Sequence, residues 1–191
     1  YALGQLTLTD SHFQENQCLA TNCDGGGLFS FSRTAVYNTQ FLSNTAQSQG
    51  GGLSAPGVLT ITEGLFQYNQ TTFGTGGGLF GQDKATLIDT QIKDNTAGSR
   101  GGGMYMLGAV TVTSSLFEGN QSLNQVGGGL FAFGELTVDS SQFIGNVAVE
   151  GGGLVHGFDK DGRLTNTLFA NNQATNGSGA ALLFESSGHV D

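Results

Sequence analysis

The side chains best suited to chemistry gather in "FDKDGR", residues 158–163. Asp159 and Asp161 stand two apart, with His156 and Arg163 close by in sequence. Paired carboxylates beside a basic group suit acid–base attack on a glycosidic bond, and DKDG matches part of a calcium loop. The remaining oxygen ligands and the closing Glu of such a loop are missing. Asp159 and Asp161 are therefore weak metal candidates, and a polar turn is the simpler reading. His12, His156 and His189 lie far apart and form no cluster in sequence. No nucleophile elbow occurs, and the glycine triplets lack the Lys-Ser/Thr of a phosphate loop. Cys18 and Cys23 are five apart, a spacing that fits neither a CxxC redox pair nor a zinc site. They read either as a local disulfide, which would point to an oxidising compartment, or as two buried thiols. No catalytic set and no cofactor are expected.

Composition narrows the partners. The chain has 191 residues with 33 Gly, 1 Pro and no Trp, and a net charge of −9. Glycine is far above its usual share of about 7%, yet 37% of the residues are hydrophobic, too many for a flexible linker. An acidic chain has no basic face for phosphates, so nucleic acid is not an expected partner. The 6 Lys and Arg form no polybasic membrane patch, and no apolar run approaches the roughly 20 residues of a membrane-spanning helix. Because the chain opens on Tyr1, the lack of a leader peptide carries no meaning.

What positions these residues is a repeat. Three glycines recur from Gly25, Gly50, Gly76, Gly101, Gly127 and Gly151. A second marker keeps the same step: Phe13, Phe41, Phe66, Ile92, Phe117, Phe143 and Phe169, each followed three residues later by an asparagine, from Asn16 to Asn172. Two markers sharing one period of about 25 residues signal a solenoid. Before each Phe the chain alternates, as in Leu59-Thr60-Ile61-Thr62 and Val110-Thr111-Val112-Thr113. A two-residue period with β-branched side chains reads as strand. Each repeat holds at least two strand runs and a third around the Phe. Short strands in coils stacked about 4.8 Å apart make a parallel β-helix; a propeller blade would need roughly 40 residues.

The expected fold is thus all-β, a right-handed parallel β-helix of about seven coils of about 25 residues. Stacking places Leu8, Val36, Ile61, Leu87, Val112, Val138 and Leu164 in an inward aliphatic column, with the Phe column as a second. The asparagines are expected at a corner, in left-handed geometry and joined in an amide ladder. Glycine should supply positive φ or close backbone approach at another corner. Residues 1–9 align with 105–113, and Gly177-Ser178-Gly179 opens a further repeat that stops at Asp191. The expectation is one β-helical segment over 1–191, cut in mid-repeat at both ends from a longer solenoid.

The pairing of GGGL (25–28, 50–53, 76–79, 127–130, 151–154) and GGGM (101–104) with FQEN, FLSN, FQYN, FEGN, FIGN and FANN resembles the repeats of chlamydial polymorphic outer-membrane proteins and related autotransporter passengers. IKDN at 92–95 departs from that pattern, and GGG stands where those repeats carry GGA. The resemblance implies an extracellular or cell-surface β-helix engaged in adhesion, with a host or neighbouring-cell surface protein or glycan as partner, or with lateral or end-to-end packing into a larger assembly.

Outward residues carry the remaining functional readings. Thr7, Thr60, Thr86, Thr111 and Thr137 fall in one outward column, and Thr9, Thr62, Thr113 and Thr165 in the next. These columns resemble the TxT arrays of β-helical ice-binding proteins, although Tyr37, Ile88, Asp139 and Arg163 interrupt them. A column after the glycines, with Phe29, Phe80, Tyr105 and Phe131, reads either as an exposed aromatic strip for a protein or glycan, or as side chains covered by a neighbouring loop or a wider core. Among the glycosylation sequons, those at Asn69 and Asn120 coincide with the inward ladder, which leaves Asn176. The sequence thus points first to a non-catalytic extracellular scaffold or adhesin, then to an ice-binding face, and third to a polysaccharide lyase or hydrolase.

Overall fold

A computed structural model of the chain describes residues 4–157 and 160–184. Among them every element is a strand, and the strands form four parallel sheets of seven. The chain is a parallel β-helix of seven coils. One coil runs through Leu59–Thr62, Leu65–Gln67, Gln70–Thr71 and Leu79–Gly81. Each strand pairs with its equivalent one repeat on, so Ile61 lies beside Leu87, and Leu87 beside Val112. We call the four sheets the threonine sheet, the phenylalanine sheet, the short sheet and the glycine-flanked sheet.

The sequence pattern shows three of these strands. The fourth, in the short sheet, is only two residues long and directly follows the ladder asparagine. Two residues cannot display an alternation, so this strand is visible only in three dimensions.

The inward columns meet in one core. Val36, Ile61, Leu87, Val112 and Val138 are wholly buried, as are Phe41, Phe66, Ile92, Phe117 and Phe143. The phenylalanines stack with rings nearly parallel, at 4.8 Å for Phe13–Phe41 and 4.7 Å for Phe41–Phe66 and Phe117–Phe143. That distance is the strand spacing itself, so identical residues in register lie at stacking distance.

The corners show how the chain turns. Gly76 has φ of 65°, and a Cβ there would collide with the Leu79 carbonyl. Gly77 instead marks close approach, since a Cβ would lie 2.5 Å from the Thr96 carbonyl carbon in the next coil. At the asparagine corner the left-handed residue is not the asparagine, as expected from sequence, but the one before it. Glu15, Ser43, Tyr68, Asp94 and Asn171 have φ between 54° and 56°, and Gly119 and Gly145 have 63°. The asparagine stays out of the left-handed region because its side chain must point inward along the axis. A third left-handed corner follows the threonine sheet, at Asp10, Asn38, Glu63, Asp89, Ser114, Ser140 and Asn166.

The asparagines form a continuous ladder. Asn95 Nδ2 donates to Asn120 Oδ1 at 3.0 Å and to the Phe66 carbonyl at 2.9 Å. Its Oδ1 accepts from Asn69 Nδ2 at 3.0 Å and from the Asn69 backbone N–H at 2.9 Å. Both donors and both lone pairs are occupied, which is what allows a wholly buried amide to be tolerated. The pattern repeats from Asn16 to Asn172. A smaller hydroxyl ladder, unmarked in the sequence, holds the third corner. Thr90 N–H donates to Ser115 Oγ and Ser115 N–H to Ser141 Oγ, both at 3.1 Å.

Candidate functional site

The aromatic strip is not a surface. Phe80 is 1% exposed, Tyr105 8% and Phe131 3%, and together with Val155 they form a second hydrophobic cluster outside the main core. Only Phe29 of the four remains exposed, at 37%. Of the two readings the covered one holds for Phe80, Tyr105 and Phe131, and it has a physical cause. These residues point away from the sheet interior, but for Phe80, Tyr105 and Phe131 the connections on either side of the glycine-flanked strands fold over them. Val126 and Leu107 pack onto the cluster, the Arg100 guanidinium lies 5.9 Å from the Phe131 ring centre, and the rings stack at 5.9 Å (Phe80–Tyr105) and 5.0 Å (Tyr105–Phe131). Outward from the helix is here still inside the molecule.

The threonines do face out. Thr60, Thr86, Thr111 and Thr137 are in register on four successive strands, as are Thr62, Ile88, Thr113 and Asp139. Thr7, Thr9 and Thr137 are exposed, while Thr60, Thr62, Thr86, Thr111, Thr113 and Thr165 are half-buried by their neighbours. On the adjoining phenylalanine sheet Lys93 pairs with Glu118 at 3.0 Å, and this hydrogen bond raises the Lys93 pKa above its ordinary value.

The carboxylate candidates separate. Asp159 lies outside the described residues. Asp161 is exposed, and its backbone carbonyl accepts from the Leu136 N–H, so its backbone serves the sheet edge. His156 is buried, with Nε2 donating to the Gly134 carbonyl at 3.0 Å and Nδ1 lacking a partner. Among the described residues no group of three or more His, Cys, Asp or Glu could hold a metal ion. Cys18 and Cys23 are joined in a disulfide that closes the connection 18–23. Of the sequon asparagines, Asn69 and Asn120 are wholly buried in the ladder, and Asn176 is exposed.

One edge of the solenoid differs from the rest. From the first glycine of each triplet to the next ladder asparagine the distance is always 19 residues: Gly25 to Asn44, Gly50 to Asn69, Gly76 to Asn95, Gly101 to Asn120 and Gly127 to Asn146. The one departure is Gly151 to Asn172, 21 residues, where the stretch containing "FDKDGR" is two residues longer than its equivalents. From asparagine to the next glycine the distance instead runs 9, 6, 7, 6, 7 and 5 residues from Asn16 to Gly151. Nearly all variation in repeat length therefore falls in the loop between the short and the glycine-flanked sheets. In solenoids such insertions collect on one face, often the one that binds.

This loop edge also carries exposed apolar side chains: Leu19 at 60%, Phe73 at 74% and Leu123 at 46%. Between the first loops runs a groove of about 340 Å3 lined by Thr21, Asn22, Gln47, Ser48, Phe73 and Gly74. A second hollow on the same edge is lined by Arg100, Asn124, Gln125, Val126, Phe131, Phe133, Val149 and Glu150. The sequence held the signal for this edge in the unequal asparagine-to-glycine distances, which an average period conceals.

Fold and edge together define a β-solenoid with a variable loop face. Comparison with protein-family models, with curated proteins and with solved structures gives no match.

Proposed function

We propose that the chain is a non-catalytic scaffold displayed outside the cell, which meets its partner through the loop edge between the short and glycine-flanked sheets. The observation that carries this reading is the near-confinement of repeat-length variation to those loops, above a frame of 19 residues that holds its length. The saturated amide ladder and stacked rings supply rigidity, so loops mounted on them are positioned without added ordering cost. The Cys18–Cys23 bridge ties down the longest of the loops and fits an oxidising location. The resemblance to polymorphic outer-membrane repeats agrees with display and adhesion.

Arrays of extracellular glycans and proteins test the reading, with Phe73→Ala and Leu123→Ser as paired variants. Both residues are exposed, so stability should hold while binding drops about tenfold or more for a central apolar contact. Binding that survives both variants would place the contact elsewhere.

The threonine sheet supports a second reading, ice binding, because four threonines fall in register on consecutive outward strands. Thermal hysteresis measures it directly. Activity abolished by Thr111→Tyr supports it, and no hysteresis refutes it.

A further inference from the structure

Successive coils along the loop edge are not equivalent; alternate ones are. In the short sheet the outward residue runs Gln17, Thr45, Gln70, Thr96, Gln121, Val147, Gln173, paired in that order from strand to strand. The four glutamines are exposed, and Thr45, Thr96 and Val147 between them are half-buried. The loops follow the same beat. Coils with glutamine carry the longer connections, 9, 7 and 7 residues, and the exposed Leu19, Phe73 and Leu123. Coils with Thr or Val carry the shorter ones, 6, 6 and 5 residues. The sequence repeats accordingly at 51 residues: NTAQSQGGGL at 44–53 becomes NTAGSRGGGM at 95–104, and NQTTFGTGGGLF at 69–80 becomes NQSLNQVGGGLF at 120–131. The chemical unit of this edge is therefore two coils.

Two coils span about 9.6 Å, twice the strand spacing. At each such step the edge presents an exposed amide, and at the first three an exposed apolar side chain follows within the loop, though not at an identical position. The groove between the first two long loops adds Thr21, Asn22, Gln47 and Ser48, all uncharged, beside Phe73. A partner matching this pattern must repeat along a straight line at the same step. A globular protein has no such translation. A β-1,4-linked hexose chain does, since alternate rings are flipped and equivalent faces recur once per disaccharide, over a similar length. Its ring faces are apolar enough to pack on Phe and Leu, and its hydroxyls pair with amides. The net charge of −9 disfavours an anionic polymer.

Resting on the binding-edge reading above, the geometry points to a neutral, linear β-1,4-linked glycan lying along the solenoid axis, one disaccharide per two coils. The groove at Gln47 and Ser48 is one subsite of that track.

Calorimetry of the whole chain with β-1,4-linked glucose and N-acetylglucosamine oligomers, from disaccharide to octasaccharide, tests the assignment. Affinity should rise in steps at even lengths, about fivefold for each disaccharide as one further amide contact engages. Gln70→Ala with Gln121→Ala should flatten the series without shifting the melting temperature, both side chains being exposed. Thr96→Gln, which fills a gap in the glutamine column, should weaken the octasaccharide while leaving the disaccharide unchanged. Affinity independent of length, or rising equally at odd and even lengths, overturns the assignment. So does binding of anionic glycans or of a protein alone at this edge, although that result leaves the scaffold reading standing. Failure of every array ligand to bind overturns both.

Discussion

Removing one amide from the middle of the asparagine ladder is the sharpest test of what holds the coils in register. Asn95→Ala deletes four hydrogen bonds, two donated and two accepted. Two buried donors then face no acceptor: the Asn69 backbone N–H and one proton of Asn69 Nδ2. Each costs about 1–3 kcal/mol, so the variant should lose about 4 kcal/mol. The acceptors suffer less, since Asn120 Oδ1 keeps the Asn95 backbone N–H at 3.1 Å. The end of the ladder is the internal control. Asn16 only donates, and Asn44 Oδ1 still accepts from the Asn16 backbone after the side chain is removed. Asn16→Ala should therefore cost under about 1 kcal/mol. Guanidinium unfolding followed by far-ultraviolet circular dichroism reads both, and hydrogen exchange of the Asn69 amide reports the orphaned donor. Equal losses in the two variants would refute the ladder as the source of register. Asn95→Asp adds a pH test. The new carboxylate oxygen would face the Phe66 carbonyl and Asn120 Oδ1, two acceptors, so the folded state raises its pKa above the usual value of about 3.9. The folded state then binds more protons, and stability should fall as pH rises from about 4.

The remaining predictions concern single sites. Phe131→Ala should cost about 3–5 kcal/mol by thermal or chemical denaturation, as for a core aromatic, whereas an exposed ring would cost almost nothing. Reduction of Cys18–Cys23 should lower stability by about 2 kcal/mol, the loop-closure value for so short a loop; an unchanged melting curve with and without reductant would contradict this. Lys93→Met should shift stability by no more than about 0.5 kcal/mol, because the pair with Glu118 is partly exposed. What the pair contributes is fully present below the ordinary lysine value of 10.5 and is lost as pH climbs through the raised one, as a pH series on the variant and the parent would show.

The fold was legible wherever identical residues stack, because a column of phenylalanines or asparagines announces both its register and its burial. The Ile61 and Phe66 columns, the ladder and the glycine corner all follow from that rule. The left-handed residue beside the ladder was not legible. Its column mixes Glu15, Ser43, Tyr68, Asp94 and glycines, since backbone geometry alone is selected there. The aromatic strip stayed undecided between surface and core for a different reason. Alternation tells which side of a strand a residue takes, but not whether a loop closes over that side, as it does over Phe80 and Phe131. The loop edge hides in arithmetic, because 25- and 26-residue steps look like noise until measured from the asparagine.

The direction of the hydrogen bonds has a mechanical consequence. All sheet pairing runs from coil to coil, along the axis of the solenoid. A pull on the two ends of the chain thus loads the interfaces between coils in series, and the weakest yields first. Each coil that peels away frees about 25 residues, on the order of 80 Å of extended chain, while the coils behind it keep their structure. Under load the rod would lengthen by discrete steps, dissipating force as it goes.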